Sequence, residues 1–116
     1  MSYHKLYRSF GYAFSGVSYA LRTQFNMLVH IIATILVTVA GLYFGLTASE
    51  WSVIVLAICL VLVTEMLNTA IEATVDLFTE KQHPLAKIAK DVAAGAVLLA
   101  AFCSVIIGML VFWPHL

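Results

Sequence analysis

Residues 65–76 read Glu65-Met66-Leu67-Asn68-Thr69-Ala70-Ile71-Glu72-Ala73-Thr74-Val75-Asp76. The stretch sets three carboxylates and an amide in a chain that is otherwise mostly apolar. At roughly 100° per residue, Asn68, Glu72 and Asp76 fall close to the direction of Glu65 on a helix, within an arc of about 80°. The positions between them are apolar or small, two threonines aside. One helix therefore carries a polar stripe from within a hydrophobic region towards its end. An ionised carboxylate at a bilayer centre costs about 2.5–3.5 kcal/mol on insertion scales. Such a stripe calls for partners, a water-filled cleft or a chemical role.

Composition sets the class. Of 116 residues, 63% are hydrophobic and 10% charged. A soluble domain this small has too little interior to hide that much apolar surface. The expected class is all-α integral membrane protein, with residues 1–116 forming a single domain. The formal net charge of +0 favours no nucleic-acid partner. Cys59 and Cys103 both lie in apolar runs, so their number implies no disulfide. No cleavable leader is expected: the first 22 residues have no uninterrupted apolar core and no small-residue cleavage pattern.

Along the chain, residues 3–22 read as an amphipathic helix on the membrane surface. Tyr3, Leu6, Tyr7, Phe10, Phe14, Val17 and Leu21 keep three-and-four spacing, while Lys5, Arg8 and Arg22 point away. Residues 27–46 form a first span, long enough at about 30 Å to cross the hydrocarbon. It contains His30, and Gly41 and Gly45 suggest a close helix contact. A turn follows, with Glu50 and Trp51 at the interface. A second span covers 51–78 and includes the stripe. Its length requires the last turns to leave the hydrocarbon or the helix to tilt. Residues 79–90 are a polar connection. Pro84 stops the second helix from running through, and a third helix begins just after it, outside the bilayer. The third span is 91–113, opening with the small run Ala93-Ala94-Gly95-Ala96.

All six Lys and Arg residues lie in the first helix or in 79–90. The positive-inside rule places the N-terminus and the second connection in the cytoplasm and the C-terminus outside. Glu72, Asp76, Lys81, Lys87, Lys90 and Asp91 are then cytoplasmic, where ATP is.

No Walker loop, kinase catalytic loop, Gly-x-Ser-x-Gly turn or zinc spacing is present. What remains is carboxylates at a membrane boundary with lysines a helix away. Mg²⁺ is typically held by one or two carboxylates together with substrate phosphates. Glu72 and Asp76, one turn apart, can face such an ion, and Lys90 beside Asp91 can pair with phosphate. Glu65 lies about 10 Å deeper than Glu72 along the helix. There it could take a proton from a lipid hydroxyl. This layout suits phosphoryl transfer to a lipid alcohol, in which positioning and charge neutralisation supply most of the catalysis. The same stripe also fits a small oligomeric proton- or ion-conducting protein, or structural pairing between subunits.

The motif Glu65-x-x-Asn68-Thr69-Ala70-Ile71-Glu72-x-x-Val75-Asp76, followed by Ala89-Lys90-Asp91, resembles the signature of the small prokaryotic diacylglycerol kinases, a family that includes undecaprenol kinases. The likeness extends to Phe10-Gly11-Tyr12-Ala13-Phe14-x-Gly16, to Asn26-Met27-x-x-His30 and to the run from Ala89 to Val97. It implies an N-terminal surface helix and three transmembrane helices, assembled as a homotrimeric bundle with active sites shared between subunits. Three thin helices could not by themselves shield Glu65, Asn68 and Glu72 from lipid, which independently favours a multi-subunit bundle. The resemblance implies MgATP-dependent phosphorylation of a lipid alcohol in the bacterial inner membrane. Undecaprenol is the first-choice substrate and diacylglycerol the second.

By position, Glu65 would be the catalytic base and Glu72 would bind metal and, through it, ATP. Lys90 and Asp91 would contact nucleotide, with Tyr12, Lys81, Gln82 and His83 lining the same pocket. Asn68 and Asp76 would support the site, and Lys5 would lie near the lipid headgroup. One position departs from the pattern. Where the family has a second metal-binding Glu, this chain has Gln24, whose amide oxygen can ligate Mg²⁺ but brings no charge. Another carboxylate such as Asp76 compensates, or the site works with one charge fewer, or the enzyme is impaired.

Overall fold

The computed structural model describes residues 2–116 and is helical almost throughout. Its elements are α1 (Tyr3–Thr23), α2 (Phe25–Phe44), α3 (Ala48–Phe78) and α4 (Pro84–Phe112), with a closing 3₁₀ turn at Trp113–His115. Three helices, α2, α3 and α4 with its 3₁₀ extension, are long and apolar enough to cross a membrane.

Each boundary has a local cause. Ser2 caps α1 by accepting from the Lys5 N–H. Gln24 separates α1 from α2 with extended backbone, so the chain turns there within a single residue. α2 ends at Gly45, whose φ of 65° is the left-handed cap that glycine adopts without strain. Gly41 and Gly45 therefore do not form one seam for a neighbouring helix. Gly45 terminates α2, while Gly41 lies against the Trp51 indole and Leu46 of the following turn. Thr47 and Glu50 form a reciprocal capping box at the start of α3. Pro84 takes the first turn of α4, where its missing N–H costs no bond.

Several boundaries move relative to the sequence reading: α2 ends at Phe44 where 46 was expected, and α3 begins at Ala48 where 51 was expected. α2 starts at Phe25, two residues before 27, because helix begins as soon as Gln24 has turned the chain. α4 is one unbroken helix from Pro84, so residues 84–90 and the third span share an axis. No residue in 85–112 interrupts helix, and the polar-to-apolar change at Asp91 affects the solvent and not the backbone.

Helix length then positions the site. α2 has 20 residues, about 30 Å, which matches the hydrocarbon thickness. α3 has 31 and α4 29, about 46 and 44 Å. α2, α3 and α4 run up, down and up through short turns. At one end the C-terminal turn rejoins the start of α3, where His115 Nε2 lies 2.7 Å from Glu50 Oε2. At the other end α3 and α4 project together beyond α2.

α3 and α4 are the most closely packed pair. Ile54, Ala57 and Val61 of α3 are buried, as are Ala93, Val97 and Ala100 of α4. Small side chains let the helices approach, and Ser104 Oγ donates to the Ala57 carbonyl across the contact at 3.1 Å. The buried positions of α3 then continue as Glu65, Asn68 and Thr69. The apolar seam thus becomes polar partway along without changing face.

Candidate active site at the α2–α3–α4 junction

The stripe divides by depth. Glu65 is 1% exposed and Asn68 6%. Glu72 is half-buried and Asp76 exposed. Asn26, His30, Glu65 and Asn68 line one groove, closed on the α4 side by Ala94, Val97, Leu98 and Ala101. Asn26 lies in the first turn of α2, so Asn68 is level with the end of the shortest span. Along α3, Glu65 lies about 5 Å farther towards the middle of the bundle than Asn68, and Glu72 and Asp76 stand about 6 and 12 Å beyond Asn68 in the other direction.

Hydrogen bonds order the stripe unevenly. Asn68 Nδ2 donates to Glu72 Oε1 at 3.2 Å, one helical turn away. Thr69 Oγ1 donates to the backbone carbonyl of Glu65, not to its carboxylate. Both Glu65 carboxylate oxygens and Asn68 Oδ1 are buried without a hydrogen-bond partner. The closest group to the Glu65 carboxylate that could bear a proton or charge is His30, with Nε2 3.4 Å from Oε2. Buried polar groups are normally satisfied. These three oxygens, all in one region, are buried acceptors left without a donor.

Beyond α2 the polar residues form a second cluster. Lys90 Nζ bonds Asp76 Oδ1 at 2.7 Å, tying the projecting end of α3 to α4. Lys87 bonds Asp91 one turn along α4. Thr79, Glu80, Lys81, Gln82, His83, Lys87, Lys90 and Asp91 line an open cleft of about 670 Å³. His83 also has a structural part, since its Nδ1 accepts from the Leu85 N–H and caps α4.

The residues named from sequence thus fall into groups. Glu65, Asn68 and Glu72 share one face of α3. Lys81, Gln82, His83, Lys90 and Asp91 share the cleft, with Asp76 joined to it through Lys90. Tyr12 and Lys5 are exposed on α1, and no side-chain hydrogen bond brings either to this region within the described chain. Gln24 sits at the α1–α2 corner, at the membrane level of the site, with no capping bond from its side chain. Among the described residues no three His, Cys, Asp or Glu side chains gather as a ready-made metal site. Mg²⁺ does not need such a cage. One carboxylate with substrate phosphates and water suffices, and Glu72, hydrogen-bonded by Asn68 near the lysine-bearing cleft, fits that mode. The residues the sequence reading left outside the site are His30 and Asn26. A histidine inside an apolar span was the available signal.

The family model for prokaryotic diacylglycerol kinase matches residues 11–112. The chain is 46% identical over 113 residues to the undecaprenol kinase of Bacillus subtilis, covering 97% of this chain and 92% of that protein. It is 49% identical over 109 residues to the diacylglycerol kinase of Synechocystis, covering 93% of this chain and 62% of that longer protein. Against the diacylglycerol kinase of Escherichia coli K12 the identity is 29% over 111 residues, or 96% and 91% of the two chains. With the match spanning all three membrane-crossing helices and both polar clusters, the chain belongs to the prokaryotic diacylglycerol kinase family.

Proposed function

We propose that this protein transfers the γ-phosphoryl group of ATP to the hydroxyl of a membrane lipid alcohol, with undecaprenol the first-choice substrate and diacylglycerol the second. The observation that carries this reading is the depth separation on α3. A buried carboxylate with unpartnered oxygens lies on α3, and a cleft bearing three lysines lies farther along, between the α3–α4 connection and the start of α4.

In this reading the lipid headgroup enters sideways at the Asn26–His30–Glu65–Asn68 groove. Glu65 accepts the hydroxyl proton as the lipid oxygen attacks the γ-phosphorus, and the bond to the β–γ bridging oxygen breaks, releasing ADP. Lys90, with Lys81 and Lys87 lining the same cleft, counters phosphate charge, and Asp91 fixes the orientation of Lys87. Gln82 and His83 line the nucleotide side, and Tyr12 closes it from α1. Asp76 orients Lys90, and Asn68 orients Glu72. Lys5 attends the headgroup region from the surface helix. Glu72, with Gln24 as a neutral second ligand, would hold Mg²⁺, which when bound neutralises the transferring phosphates. The N-terminus and the α3–α4 connection are cytoplasmic, the C-terminus is outside, and a homotrimer shares sites between subunits.

The test is a mixed-micelle assay with labelled ATP and each lipid in turn. Phosphorylation of undecaprenol at a higher kcat/KM than diacylglycerol is expected. Failure to phosphorylate either at saturating Mg²⁺ overturns the kinase reading. Glu65-dependent proton flux in proteoliposomes would then put a conducting oligomer in its place.

A further inference from the structure

Glu65 poses a problem that the kinase reading does not solve. It is a carboxylate 1% exposed, in a chain whose cations lie elsewhere. Burying an ionised carboxylate without a paired group is strongly unfavourable, and a base must keep an oxygen free and correctly aimed.

The possible partners can be taken in turn. Asn68 uses its amide N–H₂ on Glu72. The Thr69 hydroxyl is spent on a backbone carbonyl. The α4 wall contributes Ala94, Val97, Leu98 and Ala101, with no side-chain donor. Lys90 is committed to Asp76 in the outer cluster. The polar side chains of α2 on the groove are Asn26 and His30, and His30 faces the carboxylate at 3.4 Å. No other titratable side chain among the described residues lines the groove.

We propose that His30 is the positioning residue for Glu65. With its proton on Nε2, the imidazole donates to Oε2 and leaves Oε1 directed at the groove for the lipid hydroxyl. This rests on the kinase reading of Glu65 given above. The separation of 3.4 Å is long for a hydrogen bond, and such bonds commonly tighten when substrate excludes water from the site. The backbone suits the role. His30 lies a little over a turn inside α2, and Thr34 bonds its carbonyl at 2.8 Å, so the ring projects from regular helix and not from a frayed end. Asn26, one turn closer to the helix start, is left to meet the headgroup.

The full chain in detergent micelles gives two independent readouts. In steady-state kinetics His30→Leu should lower kcat about 10–100-fold, the range for removing a partner that orients a functional ligand. KM for lipid and for MgATP should each stay within about twofold of wild type, because neither substrate is held by the imidazole. His30→Gln, whose amide N–H can reach the same oxygen, should recover most of kcat. In infrared difference spectra the Glu65 carboxylate band, assigned by its loss in Glu65→Gln, should shift in His30→Leu and return in His30→Gln. If His30→Leu does not accumulate, His30→Phe provides the same comparison with a ring retained. An unshifted Glu65 band in the apolar variant overturns the proposal. So does a raised lipid KM at unchanged kcat, which would make His30 a lipid contact. The infrared readout does not need turnover, so a chain inactive on both lipids would sink the kinase reading and still decide the His30–Glu65 contact.

Discussion

Glu65 occupies a position where the seam repeat of α3 calls for an apolar residue, and its consequences are clearest one side chain at a time. Ile54, Ala57, Val61, Glu65 and Asn68 follow three-and-four spacing, and all five are buried. That much was legible in the sequence, because the period that identifies a helix face also places the polar residues on it. The contact His30 makes was not, because a lone histidine in an apolar run, though a signal in itself, carries no period and its partner lies on another helix. Replacing Glu65 by Gln preserves shape and removes the base. Turnover should fall about 10²–10⁴-fold, the contribution typical of general-base catalysis. MgATP binding, measured by calorimetry, should stay near wild type, and retained turnover would assign the base elsewhere. Gln24 offers a test of opposite sign. Gln24→Glu adds a charged ligand at the corner between α1 and α2, so the Mg²⁺ concentration for half-maximal activity should fall. No change, or a rise, would mean that residue 24 does not face the metal.

At the scale of elements, the turn between α2 and α3 is the most tightly specified piece of the chain. Gly45 supplies a left-handed cap, the Thr47–Glu50 box starts α3, and Glu50 reaches His115 to hold the C-terminal turn. A Cβ on Gly41 would stand 2.6 Å from the Trp51 ring. Gly45→Ala should destabilise by about 1–2 kcal/mol, since a left-handed residue with a side chain is strained. Thr47→Ala should cost about 1 kcal/mol through loss of the cap. Gly41→Val should lower the thermal midpoint in detergent more than either, because its Cβ alone would meet two atoms of the Trp51 indole at under 3.0 Å. Equal midpoints for wild type and Gly41→Val would show that Trp51 can move aside. Sequence signals anticipated the stop at Pro84 and the interface tryptophan, both of which act locally. They also placed the start of the third helix just after Pro84, and α4 runs from there through residue 91 without a break; the span start at 91 came from hydropathy, which reports where lipid begins and is silent on where backbone hydrogen bonding ends. A turn from Gly45 onward was also legible, but the pairing of Gly41 with Gly45 was not a seam, since two glycines four apart look alike whether they line a helix contact or one of them ends the helix.

The whole molecule exposes what a single chain cannot finish. Leu36, Leu56, Leu98, Leu99, Phe102 and Leu110 stand out from the bundle, as lipid or a neighbouring helix would require. α1 carries Tyr12 74% exposed. The α3 half of the site was readable from one helix's spacing. The α1 half was not, because which copy's helix covers which groove is a property of assembly and leaves no period in the sequence. If sites are shared, Tyr12 of one subunit serves Glu65 of another, and two defective chains should complement each other. Glu65→Gln and Tyr12→Ala, each inactive or nearly so alone, would be denatured together, refolded into mixed micelles at equal amounts and assayed. Random mixing in a symmetric oligomer gives about one site in four with both wild-type residues, hence about a quarter of wild-type activity. Reconstituting the two variants separately and pooling them afterwards controls for simple addition of residual rates. Recovery only after co-assembly requires Tyr12 and Glu65 to meet across a subunit boundary. No recovery would place both on one chain, and α1 would then have to fold back over its own groove when substrate binds.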